Sequence, residues 1–220
     1  MNEKILINAR IIDPSQNMDE KGSVIIDSNG KIKSIGKNIK QKDASSKAEI
    51  IDIKNNILIP GIIDMKAFVG EPGYEYKENF RTLTQAALAG GVTSIVTMPN
   101  TKPIIDNVSM VDFIIRRGRD KAKVNLFPCA SITRKIEGNQ MTEFGLLKAR
   151  GIIGFSDVTK TIQNAELMSR VMNYASDLDV LIMQHAEDYE LSKNASINEG
   201  EIATRLGLQG VSDIAEKIII

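Results

Sequence analysis

Side chains that could bind a metal ion or move a proton are few in this sequence, and most of them follow predicted strands. His185 is the only histidine and Cys129 the only cysteine among the 220 residues. Zinc in proteins is held by imidazole, thiolate and carboxylate groups, so any zinc site here must be poor in nitrogen and sulfur ligands. The side chains at the predicted strand ends are those of Lys66, Phe68, Asn100, Cys129, Ser131, Asp157 and His185.

A series of alternating strand and helix segments must position these side chains. The apolar run ILIPGIIDMKAFV (57 to 69) predicts a buried parallel strand, followed by a helix over about 77 to 89 that stops at Gly90-Gly91. Four more strands are predicted at VTSIVTMPN, KVNLFPCAS, GIIGFSD and VLIMQHAED, with Asp106-Asn107 as candidate caps of the second helix. The series indicates a parallel sheet with right-handed crossovers, either doubly wound or part of a (β/α)₈ barrel.

The first part of the chain has a different hydrophobic pattern. Residues 4 to about 57 contain short apolar runs separated by polar turns, and Asn29-Gly30 between VIID and KIKSIG predicts a type I′ hairpin in which both residues have positive φ. We therefore expect a small β domain over residues 1–57 and an α/β domain over residues 58–220.

Composition excludes several classes of partner. Lys plus Arg and Asp plus Glu both number 28, so no global charge attracts nucleic acid. The run RRGRDKAK (116 to 123) is best explained as a solvated helix end, although an acidic partner is an alternative. The N-terminus lacks the features of a secretory signal, and no apolar stretch approaches the roughly 20 residues that span a bilayer. We expect a cytoplasmic protein that binds neither nucleic acid nor membrane.

The segment PGIIDMKAFVGEPGYEYKENFRTLTQAALAGGVTSIVTMPNTKPIIDN (60 to 107) resembles the dihydroorotase family, in which PGxIDxHxHxREPG leads to GGxTxxxxMPNTxPxxD. GIIGFSD, MQHAED and GLQGVSDIAEKI are similar to later family segments in the same order. The resemblance implies a partial (β/α)₈ TIM barrel, containing the first five β/α units, beside a small N-terminal β-sandwich. It also implies zinc-dependent hydrolysis or closure of the cyclic amide of dihydroorotate in pyrimidine biosynthesis.

The resemblance fails at the metal site. Lys66 and Phe68 occupy the two first-strand histidine positions, and Gly70 occupies the position of the substrate-binding arginine. Phenylalanine has no lone pair to donate, and a protonated lysine repels a dication. Asn100 matches a family position for substrate contact, and Asp157 and His185 match positions for metal ligation. Since catalytic zinc sites normally have three protein ligands, we expect no tightly bound zinc.

The leading interpretation is a non-catalytic, dihydroorotase-like scaffold, whose partner by resemblance is aspartate transcarbamoylase, or which forms a homo-oligomer. The alternative is an active cyclic amidohydrolase that uses Asp157, His185 and a degenerate zinc site. If the chain is complete, it lacks the sixth to eighth strands. A third interpretation is a truncated product with no separate role, in which open edges on the first and fifth strands favour association or aggregation. We further expect an ion pair between Lys66 and Asp157, a hydrogen-bonded remnant role for His185, and a core position for Cys129.

Overall fold

One sheet organises the N-terminal part of the chain in the computed structural model, which describes residues 2–220. This unit ends at Gly61, and the second unit runs Ile62–Ile220. The strands of the first unit are β1 (Lys4–Asp13), β2 (Met18–Ile26), β3 (Ile32–Gly36), β4 (Glu49–Asp52) and β5 (Ile57–Leu58). They pair in the order β3-β2-β1-β4, and β5 also pairs with β1. The β-rich character is as expected, and the β-sandwich stays a prediction because residues 2–61 form one sheet.

The hairpin predicted at Asn29-Gly30 is present, but its turn type was wrong. β2 and β3 pair in antiparallel register, and only Gly30 of the two turn residues has a positive φ, at 79°. The side chain of Asp27 accepts hydrogen bonds from the backbone N–H groups of Asn29 and Lys31. These bonds stabilise a longer loop of the type in which a single glycine adopts the left-handed conformation.

A parallel sheet organises the second unit. Its strands are β6 (Ile62–Ala67), β7 (Val92–Thr97), β8 (Asn125–Ala130), β9 (Gly154–Phe155) and β10 (Leu181–Ile182). The helices between them are α1 (Phe80–Ala89), α2 (Val108–Lys121), α3 (Phe144–Ala149) and α4 (Ala165–Asp177). After β10 come α5 (Tyr189–Ser192), β11 (Ile197–Asn198), α6 (Glu201–Leu206), β12 (Gly210–Val211) and α7 (Ile214–Lys217).

The order of the strands distinguishes the two architectures left open by the sequence. The sheet runs β10-β9-β8-β7-β6, and every neighbouring pair is parallel. A doubly wound sheet reverses its strand order at a switch point, whereas a barrel adds each new strand beside the previous one. The uninterrupted order is therefore that of a barrel segment.

The first barrel strand departs from its prediction. The run 57 to 69 does not form one buried strand: it is divided between β5, which pairs with β1, and β6, which pairs with β7. Pro60-Gly61 lies at the division, because proline cannot donate to a strand ladder. Most of β6 is exposed, and within residues 2–220 it pairs with β7.

Two apolar clusters hold the second unit together. The larger one joins the sheet to the helices and includes Phe144 and Phe155, whose stacked rings have centroids 3.7 Å apart. The smaller one contains Val96, Met98 and Cys129, which confirms that Cys129 is a core residue. No helix within residues 2–220 combines the length and apolar character needed to cross a membrane.

Local capping sets where the barrel helices begin. Asn107 accepts a hydrogen bond from the N–H of Met110 and caps α2, as predicted, while Asn79 and Asn164 cap α1 and α4 in the same way. Gly90 is the C-cap of α1, and Gly91 follows with a φ of 79°. These caps place the strand ends, and the side chains on them, at defined positions.

Candidate functional site

The chemistry-bearing side chains follow the carboxyl ends of neighbouring strands. Lys66 and Phe68 lie at the end of β6, Asn100 follows β7, Asp157 follows β9 and His185 follows β10. Because these strands are parallel and adjacent, their carboxyl ends lie along one edge of the sheet. The predicted strand-end residues therefore share one edge of the sheet, and their functional roles stay predictions.

The two first-strand positions carry an aromatic ring that packs near another ring and an exposed ammonium group. The ring of Phe68 lies 6.1 Å from the ring of Tyr74, centroid to centroid, in a tilted arrangement. Lys66 is exposed, and its backbone N–H donates to Asp64 Oδ1 at 3.0 Å. An aromatic contact and an exposed ammonium thus occupy the positions that imidazoles would need for metal binding.

Gly70 is buried and has a φ of +72°. A Cβ atom at this position would lie 2.6 Å from the carbonyl oxygen of Glu78 and 2.9 Å from that of Tyr74. The N–H of Tyr74 also donates to the Gly70 carbonyl at 2.6 Å. The loop that follows β6 is therefore folded tightly over Gly70, and an arginine here would require this loop to move.

Asp157 is buried, and Thr133 binds both of its carboxylate oxygens. The backbone N–H of Thr133 donates to Oδ1 at 3.0 Å, and the Thr133 hydroxyl donates to Oδ2 at 2.5 Å. Burial raises the pKa of Asp157, while the Thr133 hydrogen bonds and nearby Lys160 act in the opposite direction. The expected ion pair with Lys66 was wrong: among the ion pairs of residues 2–220, none joins Lys66 to Asp157.

His185 lies partly exposed beside an acidic residue. Its Nε2 is 2.9 Å from Glu187 Oε2, and its backbone carbonyl accepts from the Thr161 hydroxyl. Ser192 and His185 lower the pKa of Glu187. Thr161 also accepts from the N–H of Glu187 at 3.0 Å, so it fixes the segment that carries His185.

Several buried polar atoms at this edge have no hydrogen-bond partner within residues 2–220. These are Asn100 Oδ1, Ser131 Oγ, Gln184 Oε1 and Thr97 Oγ1. A buried acceptor without a partner typically costs about 1–3 kcal/mol unless water or a ligand satisfies it. Asn100 thus keeps a buried acceptor available at the position predicted for substrate contact.

A buried carboxylate anchors the loop after β6. Glu71 Oε1 accepts from Arg117 Nε at 2.7 Å, and Glu71 Oε2 accepts from the backbone N–H of Phe80 at 3.1 Å. Arg117 comes from the basic run at the end of α2, so this run is not only a solvated helix end. Sequence reasoning missed Glu71, Thr133 and Thr161 as supporting residues, because each acts on residues distant in the chain or through a backbone group.

The donor set does not fit a metal ion. Within the described part of the chain, no three His, Cys, Asp or Glu side chains are grouped closely enough to hold one. Asp157 directs both oxygens at Thr133, and His185 pairs with Glu187. A zinc site needs three or four convergent ligands, which these residues do not supply.

The uninterrupted parallel sheet, with its polar residues at one edge, defines a partial (β/α) barrel. The L-hydantoinase (dihydropyrimidinase) from Arthrobacter aurescens superposes with a TM-score of 0.73 at 16% identity, over 87% of this chain and 42% of that chain. This likeness concerns the fold alone. The chain belongs to the dihydro-orotase-like family, whose sequence model matches residues 55–220.

Curated relatives extend beyond the region that this chain matches. A protein named dihydroorotase from Syntrophus aciditrophicus is 42% identical over 218 residues, which are 99% of this chain and 50% of the relative. Another from Trichlorobacter lovleyi is 40% identical over 214 residues, 97% of this chain and 49% of the relative. The chain therefore spans about half the length of these relatives.

Proposed function

We propose that this chain is a dihydroorotase-like protein of pyrimidine biosynthesis that acts as a binding scaffold and does not catalyse cyclic-amide hydrolysis by itself. The observation that carries the proposal is the replacement of two metal-ligand positions by Lys66 and Phe68, with Phe68 in contact with Tyr74. Without a metal ion, neither a hydroxide nucleophile nor a polarised amide carbonyl is generated by the family's chemistry.

The arrangement around the retained residues supports the same proposal. The carboxylate of Asp157 is engaged by Thr133, and burial favours its protonated form, which is a poor metal ligand. The loop at Gly70 leaves no space for a guanidinium group without rearrangement. The replacements therefore weaken both metal binding and the binding of a substrate carboxylate, which an arginine would otherwise hold with two hydrogen bonds.

A metal and turnover assay tests the catalytic part of the proposal. The purified 220-residue chain is dialysed against zinc, its bound zinc is measured by elemental analysis, and dihydroorotate and carbamoyl aspartate are supplied as substrates. The dihydroorotase from Syntrophus aciditrophicus, prepared identically, serves as the reference. We expect much less than one zinc per chain and no turnover; stoichiometric zinc with turnover contradicts the proposal.

The proposed partner is aspartate transcarbamoylase, and homo-oligomerisation is the other form of the scaffold. The partner comes from the family resemblance, and the chain's neutral net charge is compatible with protein association. The test is co-migration of the chain with aspartate transcarbamoylase from the same organism at micromolar concentration, with an unrelated protein of similar size as control. Separate elution of the two proteins contradicts this assignment.

A second candidate function is cyclic-amide hydrolysis with a degenerate zinc site. The unpartnered acceptor atoms of Asn100 and Gln184 favour it, because a substrate amide N–H would satisfy them. In this case Asp157 and His185 would hold one weakly bound ion, together with ligands from a C-terminal half of the kind that the relatives have beyond the matched region. Dihydroorotate binding by calorimetry distinguishes simple binding at Asn100 from hydrolysis, since binding without zinc and without product supports the non-catalytic proposal.

A further inference from the structure

A small cavity lies between the carboxyl-terminal part of α2 and the strand β8, and its volume is about 330 Å³. Ile114 of α2 and Leu126 of β8 line this cavity and also pack in the apolar layer between the helices and the sheet. β8 has β7 and β9 as neighbours, and α2 contacts α1 and α3. The cavity therefore lies on the helix side of the sheet, away from the edge strands.

The lining of the cavity is mostly apolar. Its apolar residues are Ile114, Ile115, Ala122, Val124, Leu126 and Pro128. Ile115 is 40% exposed, so part of this lining is open to solvent. Ligand pockets in proteins measure roughly 300–1,000 Å³, and a space at the lower end of that range suits an apolar anchor side chain better than a large cofactor.

Basic side chains border the same cavity. The run 116–123 contains five basic residues and one acidic residue, whereas the whole chain has no net charge. Arg119 lines the cavity, and Lys121 and Lys123 alternate in sequence with two of its apolar lining residues. The apolar space and the local excess of positive charge therefore belong to one surface.

Most of these charges are not neutralised by the described chain. Arg119 pairs with Asp120 at 3.0 Å, and both side chains are more than half exposed. Arg116, Lys121 and Lys123 are exposed, and no ion pair within residues 2–220 includes them. Since the charges are spread over more than one helical turn, a ligand that matches them carries several anionic groups.

We propose that the cavity, together with Arg116, Arg119, Lys121 and Lys123, forms a docking site for an acidic protein segment that carries a large apolar side chain. The apolar side chain would enter the cavity, and neighbouring carboxylates would face the basic residues. A fatty acid offers only one carboxylate, and a nucleic acid has no apolar anchor side chain, so neither matches both features. The inference goes beyond the proposed scaffold role, because the surface lies outside the candidate site and its binding does not depend on catalysis.

The experiment titrates the full 220-residue chain into a fluorescein-labelled peptide, EEDLFEDE, and follows fluorescence anisotropy. We expect saturable binding with a Kd below about 1 mM. We also expect binding at least about tenfold weaker when the leucine and phenylalanine are replaced by serine, or when all the acidic residues are replaced by their amides. Absence of saturable binding, or equal binding of either altered peptide, overturns the proposal. Tighter binding of a single-stranded oligonucleotide also overturns it, since the partner would then be a nucleic acid.

Charge-reversal variants make the test specific to this surface. We expect the double variant Lys121→Glu with Lys123→Glu to raise the Kd of the peptide at least about tenfold, because it reverses two charges beside the cavity. The double variant Lys31→Glu with Lys42→Glu is the matched control, since these lysines are exposed in the first unit and take part in no ion pair of residues 2–220. Equal Kd values for the two double variants, with thermal unfolding like that of the wild type, contradict the proposed surface.

A second pair of variants tests the apolar part of the surface. Ile115→Ser removes an apolar lining side chain that is already partly exposed, so the fold should be retained while the peptide binds at least about threefold more weakly. Leu88→Ser is the control, since Leu88 is 54% exposed on α1 and does not line the cavity. Peptide binding that is unchanged by Ile115→Ser would show that the cavity holds no anchor and would overturn the proposal.

Discussion

Arg117 holds Glu71 in the loop after the first barrel strand, with its Nε 2.7 Å from the Glu71 carboxylate across 46 positions of sequence. The carboxylate is almost fully buried and also caps the N–H of Phe80 at the start of α1. One side chain therefore joins the loop to two helices. The Glu71 carboxylate thereby fixes the shape of the loop that contains Gly70.

Removal of this anchor should destabilise the protein. We expect Glu71→Ala to lower the free energy of unfolding by about 2–3 kcal/mol, because it leaves the Phe80 N–H and the Arg117 guanidinium without their partner. Glu166→Ala is the control: it breaks the exposed pair of Glu166 and Arg170, and we expect a loss below about 0.5 kcal/mol. Urea denaturation measures both, and similar losses would show that Glu71 has no special structural role.

Substitution of Gly70 tests the tight folding of its loop. Gly70→Ala should lower the free energy of unfolding by more than about 2 kcal/mol. The new Cβ would clash with two carbonyl oxygens, and alanine is also strained at this positive φ. Gly138→Ala isolates the backbone strain, since Gly138 has a φ of +74° with no atom near the added Cβ; we expect about 1 kcal/mol. Thermal or urea unfolding that ranks the two variants equally would contradict the close packing around Gly70.

The buried Asp157 should make stability depend on pH in a defined direction. Burial raises the folded-state pKa above the ordinary value of 3.8, so the folded chain holds a proton that the unfolded chain has released. The free energy of unfolding should therefore fall, relative to that of Asp157→Asn, as the pH rises from 3.8 through the folded-state pKa. The amide oxygen of asparagine can accept from the Thr133 N–H, and its amide nitrogen can donate to the Thr133 hydroxyl. The variant therefore keeps both contacts while removing the titratable group.

An exposed carboxylate provides the opposite control for this measurement. Arg10 lowers the pKa of Asp19 through hydrogen bonding, so the stabilisation from this pair is present above pH 3.8 and is lost as the pH falls through the folded-state pKa. Asp19→Asn should thus lose stability relative to the wild type as the pH rises. Denaturation curves across this range that shift identically for both variants would contradict the assignment for Asp157.

The exposed position of Lys66 leads to a prediction of no effect. Because Lys66 is exposed and Thr133 binds both oxygens of Asp157, we expect Lys66→Met to change the free energy of unfolding by less than about 0.5 kcal/mol and to leave zinc content unchanged. A loss above about 2 kcal/mol in a denaturant titration would indicate a buried partner for the ammonium group and restore the ion-pair hypothesis.

Much of the second unit could be predicted because local signals agree there with tertiary packing. Asn107 caps a helix by bonding to a backbone N–H three residues later, and Gly90-Gly91 ends another helix, so adjacent residues determine both positions. The boundary between β5 and β6 was missed because the run 57 to 69 is almost continuously apolar and was read as one strand. Pro60-Gly61 was the local signal for the break. Similarly, the side chain of Asp27 extends a hairpin loop that Asn29-Gly30 alone would make shorter.

The shared sheet edge of the candidate residues was predictable from the sequence, but their contacts were not. Parallel strands bring Lys66, Asp157 and His185 to one edge of the sheet, and this follows from their places in the sequence. Which neighbour binds Asp157 does not follow, because Thr133 lies 24 residues away and contributes a backbone N–H that every residue has. The ion pair was expected from charge alone, whereas the folded chain satisfies the carboxylate with neutral donors.

The position of Cys129 gives this protein an intrinsic probe of its own opening. The thiol is the only one in the sequence, it is fully buried, and burial beside Asp157 raises its pKa. Thiol reagents react with the exposed thiolate, so alkylation of the native chain must wait for the strands around Cys129 to separate. The rate of labelling under native conditions would then report how often the structure around Cys129 opens to solvent, without any engineered tag.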